Sequence, residues 1–152
     1  MRRPILAIGG GLLAVAALSS AWLLSLRGRP SPEAEVKRTL QEVERAVERL
    51  DFARALRFVS PGYRDSAGNN YLTLRRAALR AKREVASIFV AVPGGWQVEV
   101  EGGRATAKGR VFYYAISRSG EADRDWLDLT VRLRRERGGW KVFEADGLPS
   151  LE

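Results

Sequence analysis

The sequence has neither cysteine nor histidine among its 152 residues, and only one methionine. Without thiols there can be no disulfide. Without thiol or imidazole there is no Cys–His or Ser–His–Asp nucleophile, no zinc site built on His or Cys, and no haem or iron–sulfur ligation. A glycine-rich phosphate loop is also missing, because the glycines at 9–11 fall inside an apolar stretch. No cofactor and no metal are therefore expected. Any chemistry would have to come from Asp, Glu, Arg, Tyr, Ser or Lys.

Long hydrophobic runs are scarce too, with one exception. Ile5 to Leu26 carries no charge and is flanked by Arg2 and Arg3 before it and by Arg27 and Arg29 after it. A helix of about 22 residues just spans a hydrocarbon core of ~30 Å. Residues 1–29 thus read as an N-terminal transmembrane anchor with basic flanks, contacting the membrane through residues 5–26. The basic start and Ser19-Ser20-Ala21 also fit a cleaved signal peptide, which would make the protein secreted. Against cleavage, the run continues through Trp22 to Leu26, and Trp22 suits an interfacial position. A short N-terminus before the run and a long domain after it place the domain outside the cytoplasm, single-pass at the cell membrane.

The net charge of +8 resembles a nucleic-acid signature, but its distribution argues otherwise. Four of the 26 basic residues flank the apolar run, and all 18 acids lie beyond it, so the remainder is only about four charges positive. Signs are interspersed, as in Glu42-Val43-Glu44-Arg45, and no defined nucleic-acid module is present. No nucleic-acid partner is expected.

Residues 30–32 form a linker, and 33–147 a single domain followed by a tail at 148–152. Ser31 and Pro32 suit a helix start, with Glu33 and Glu35 at its positive end. Val36, Leu40, Val43, Val47 and Leu50 then recur at helical spacing, giving one apolar stripe for a domain core. Asp51 can cap a short second helix, stopped by Ser60-Pro61-Gly62. A third helix from Leu72 to Val85 sets Leu72, Leu79 and several alanines on one side. Its Arg75, Arg76, Arg80, Lys82 and Arg83 read as a solvated face or, alternatively, an anion surface. From Ser87 the period changes to two. Gly102-Gly103 and Gly138-Gly139 mark hairpins, and Pro93-Gly94-Gly95 breaks the first extended stretch. The fold class is α+β: about three helices packed on a curved antiparallel sheet of four to five strands, cone-like.

Hairpin registers sort the strand residues into two faces. The turn at 102–103 pairs Glu101 with Arg104 and Val98 with Ala107. Val111 is expected opposite Val131 and Tyr113 beside Leu129. The turn at 138–139 would pair Arg137 with Trp140, Arg135 with Val142 and Leu133 with Glu144. One face then collects Trp96, Val98, Val111, Tyr113, Leu129, Val131 and Trp140, with small residues at Ala105, Ala107 and Gly109 that leave room for a helix or a cavity. Glu144 falls on this apolar face, either as a buried carboxylate with a raised pKa or as a rim residue paired with an arginine such as Arg135. The other face holds Lys108, Arg110, Arg132 and Arg134. Their mutual repulsion requires Glu99, Glu136 or an anion nearby.

The helical segment "LDFARALRFVSPGYRD" is followed by a third helix, then "VEVEGGRATAKGRVFYY" and "WLDLTVRLRRERGGWKV". In this order they resemble the nuclear transport factor 2-like (cystatin-like α+β cone) superfamily, over residues 33–147. The resemblance implies a curved sheet wrapping a long helix and a pocket at the cone mouth, with Tyr63, Trp96, Tyr113, Leu129, Trp140 and Glu144 as pocket candidates. Lys108, Arg110, Arg132 and Arg134 remain anion-surface candidates. The superfamily includes isomerases, dehydratases, secretion-channel components and non-enzymatic binding domains. A carboxylate-based enzyme would have to assemble Tyr63, Tyr113, Asp128 and Glu144, yet Tyr113 and Asp128 are expected on opposite faces. The expected function is a membrane-tethered, non-catalytic cone domain binding a small apolar ligand or a partner protein, including a homodimer through the sheet. A small cone enzyme with a Glu or Asp base and a secretion-apparatus component are the alternatives.

Overall fold

Pro32 opens the first helix, where its missing N–H leaves no hydrogen bond unmade. In the computed structural model, which describes residues 28–152, helix α1 runs Pro32–Glu48 and buries Val36, Leu40 and Ala46. The expected anchor at residues 5–26 lies outside the described residues. Among the described residues no helix is long and apolar enough to cross a membrane. Past α1, Leu50 takes a left-handed backbone (φ 59°), and the Asp51 amide returns to the Ala46 carbonyl at 2.8 Å. Asp51 then caps the short helix α2 (Phe52–Leu56) by accepting from the Arg54 amide. Asn70 caps helix α3 (Tyr71–Glu84) in the same way, through the Thr73 amide.

Helix α3 passes directly into strand β1 (Val85–Ala91), followed by β2 (Gln97–Glu101), β3 (Arg104–Ser117), β4 (Ala122–Glu136) and β5 (Gly139–Asp146). All pairings are antiparallel. β2, β3, β4 and β5 form a meander, while β1 joins the same edge of β3 as β2 does. β2 covers the first part of β3 and β1 the last, so the Pro93-Gly94-Gly95 break lets one edge be filled by two short strands. The result is the expected α+β fold, with three helices and a curved sheet of five strands among the described residues.

Two registers differ from expectation. Val111 pairs with Leu127, not Val131, and Tyr113 with Asp125, not Leu129. The tight turn after β3 sets this: the Ser117 amide donates to the Glu121 carbonyl, and Gly120 supplies a φ of 88°. The displacement is an even number of residues, so each side chain keeps its face. At the next hairpin, Arg137 and Gly138 form the turn and Glu136 pairs with Gly139. Arg135 consequently faces Trp140, and Leu133 faces Val142.

The core joins the concave sheet face to the helices. Ala105, Ala107, Val131, Leu133, Trp140, Val142 and Ala145 of the sheet cluster with Val36, Leu40 and Tyr63. The side of α3 turned to the core differs from expectation. Leu74, not Leu72 or Leu79, packs against the core, and both expected residues are more than half exposed. Leu74, Ala77, Ala78 and Ala81 recur at three- and four-residue spacing, and this narrow stripe faces the space between helix and sheet.

Candidate functional site: an apolar cavity in the cone

Between the concave sheet face and the helices lies a cavity of about 450 Å³. Helix α1 contributes Leu40, Val43 and Val47, and α3 contributes Leu74 and its alanines. Leu127, Leu129 and Val131 of β4 form part of the opposite wall. This volume falls within the range of small-molecule sites, about 300–1,000 Å³. Glu44 is the one charged residue among the 25 that line it.

Four of the six expected pocket residues line this cavity: Tyr63, Trp96, Tyr113 and Leu129. Tyr63 is buried and donates its hydroxyl to Asp65 Oδ2 at 2.7 Å. Burial above all, then the bond to Asp65, pushes its phenol well above the ordinary tyrosine range. Tyr113 donates to Asp123 at 3.2 Å, and its phenol is also raised, mainly by burial. The Trp96 indole N–H donates to Glu44 Oε1 at 2.6 Å. A Cβ on Gly109 would lie 2.7 Å from the Trp96 ring, so the glycine creates the space this indole fills.

Trp140 and Glu144 do not line the cavity. Trp140 is buried within the core as expected, but its indole N–H donates to Glu35 and the Arg135 guanidinium lies 4.8 Å over its ring. Glu144 is displaced by a β-bulge. The pairing passes from Leu133–Val142 to Arg132–Glu144, so one extra residue of β5, Phe143, is accommodated. The bulge puts Glu144 beside Arg132 at 3.1 Å on the convex face, while Ala145 returns to the core. Glu144 is therefore a paired carboxylate, with Arg132 as partner in place of Arg135.

The convex face is largely neutralised. Arg132 bridges Glu144 and Asp146, Arg134 meets Glu136 at 2.6 Å, and Arg110 lies 3.7 Å from Asp128. The arginine contacts hold the Asp146 and Glu136 carboxyls below their ordinary values. Among the described residues Lys108 makes no ion pair. A depression of about 470 Å³ on this face mixes Arg104 and Arg132 with Glu99 and Glu101. Towards the other end of the face, Phe112 packs between Phe89 and Trp126, both about half exposed. The basic residues of α3 are exposed, as expected for a solvated face.

Two parts of the cavity were not expected. One is Glu44, which stands four residues after Leu40 and three before Val47, so the helical spacing already placed it beside the stripe. The other is the segment after β5. Leu148 and Leu151 complete the cavity wall, so residues 148–152 are a strap and not a loose tail. Buried Asn69 pins it twice, donating to the Pro149 carbonyl and accepting from the Leu151 amide, both at 3.0 Å. Arg80 adds a bond to the Leu151 carbonyl at 2.8 Å.

The catalytic set does not assemble. Tyr113 faces the cavity, whereas Asp128 and Glu144 lie on the convex side with their arginines. Among the described residues no acidic cluster could hold a metal ion.

No family model matches the sequence, and neither does any curated protein. Solved structures do match. A nuclear transport factor 2-like superfamily protein from Salmonella enterica superposes with a TM-score of 0.64 at 11% identity, over 74% of this chain and 87% of that one. A type 2 hexachlorocyclohexane dehydrochlorinase gives 0.61 at 12% identity, over 74% and 80%. The CaMKII hub of S. rosetta gives 0.63 at 16% identity, over 77% and 95%. At these levels of identity the likeness is one of fold, and the chain has the nuclear transport factor 2-like fold.

Proposed function

We propose that this protein is a membrane-tethered, non-catalytic cone domain that binds a small apolar ligand outside the cytoplasm. The observation that carries the reading is the cavity itself: a partly open apolar space whose walls come from helices, sheet and strap together. Transferring an apolar molecule from water into such a space is favourable by roughly 25 cal/mol per Å² of apolar surface removed from water. The polar groups at the cavity support binding over catalysis. Both tyrosine hydroxyls are committed to aspartates. The fold is carried by a dehydrochlorinase as well as by a hub, so fold does not decide between the classes. Tethering rests on the apolar run at 5–26 and its basic flanks.

The test is a calorimetric titration of residues 31–152 with naphthalene, a neutral apolar probe. Saturable one-site binding is expected, together with its loss in Ala78→Trp, where an indole fills the space. Absence of saturable binding by the unaltered domain overturns the reading. A second reading, a protein partner or second copy on the convex sheet face, is favoured by the exposed Phe89–Phe112–Trp126 patch. In that case Trp126→Asp would abolish association seen by sedimentation while leaving naphthalene binding intact.

A further inference from the structure

We infer that the cavity selects an apolar molecule carrying one protonated amine, with the amine seated on Glu44. This rests on the ligand-binding reading above and adds the chemical class of the ligand. Glu44 is the single charge in a wall that is otherwise aliphatic, aromatic or alanine. Its position is built and not incidental. The Trp96 indole holds Oε1 at 2.6 Å, and Trp96 is in turn seated in the space left by Gly109. An ionised carboxylate offers about four acceptor sites. Among the described residues Trp96 is the only donor that reaches Glu44, so acceptor capacity remains for a ligand.

Charge around the site favours the same class. Glu48, one turn further along α1, accepts from the Val90 amide at 2.9 Å and adds a second carboxylate at the α1–β1 junction. The neighbouring Arg45 is engaged with Glu42 at 3.0 Å, away from the cavity. A fatty acid or phosphorylated ligand would bring like charge towards Glu44 within an apolar wall, which is unfavourable. A neutral ligand would fill the space without using the carboxylate. An amine satisfies both the wall and the charge.

Three probes of matched shape separate these cases: 1-naphthylmethylamine, 1-naphthylmethanol and 1-naphthoate. Each is titrated by calorimetry into the full chain reconstituted in nanodiscs of zwitterionic lipid, with empty nanodiscs as background. The expected order is amine, then alcohol, then carboxylate, with the amine about tenfold tighter than the alcohol, as a charge-assisted hydrogen bond supplies. In Glu44→Gln the amine should lose its advantage over the alcohol, and the two should bind with equal affinity. Equal affinities for the three probes, or tightest binding of naphthoate, overturn the inference but leave the ligand-binding reading standing. Failure of all three to bind overturns both. The ranking in the unaltered protein decides the matter even where Glu44→Gln fails to fold.

Discussion

Trp140 and Glu144 are close in sequence and opposite in fate, and the difference is a single bulged residue. Trp140 retains its inward position because the hairpin shift preceding it is even in number. It is 4% exposed and should therefore carry a large share of the core. Trp140→Ala is expected to cost about 3–5 kcal/mol, measured by urea unfolding of residues 31–152. A change below about 1 kcal/mol would show that the ring is not packed as described. Glu144 lies beyond the bulge and moves to the convex face, where Arg132 meets it. No alternation rule reveals a bulge in advance, since the sequence around Phe143 carries no glycine to mark one. Glu44 was more accessible to sequence reasoning. It sits at a core-facing helical spacing, but a charged residue beside an apolar stripe reads as solvated until the segment entering β2 supplies Trp96.

Strand identities and their two faces could be read from the period-two pattern and the paired glycines, whereas the pairing partners could not. Matching Val111 to Val131 sets two apolar residues side by side on the inner face, and the observed Val111–Leu127 pair does so equally well. The turn at 118–120 decides otherwise, and turn geometry at Gly120 is a backbone property that residue type only hints at. The core-facing side of α3 is equally hard to read from residue type. Leucines outrank alanines on any hydrophobic scale, yet the face turned to the cavity carries one leucine and three alanines, while Leu72 and Leu79 stay more than half exposed. The strap after β5 has no periodicity at all, and its role comes from bonds to Asn69 some 80 residues away. Asn69→Ala removes both of those bonds and leaves buried groups unpaired, so a loss of about 1–3 kcal/mol is expected. Hydrogen exchange at the Leu151 amide is the direct measurement. Protection equal to that of the unaltered chain would show that the strap is held by its leucines alone.

For the whole molecule, the apolar run and the cone make separate demands on the cell. If the run is an anchor, the protein should sediment with membranes and retain Met1, and protease added outside intact cells should digest the domain. A soluble form starting near Trp22 would instead identify a cleaved signal peptide. The order of synthesis adds a further consequence, which follows from the strap. Chains emerge from the N-terminus onwards, and domains close only when their last contributing residues are free. Leu148 and Leu151 are the last of the described residues to enter the cavity wall, and Asn69, which pins them, is made long before. Until they emerge, the apolar interior lacks part of its wall. Apolar surface exposed in this way during synthesis is what chaperones shield.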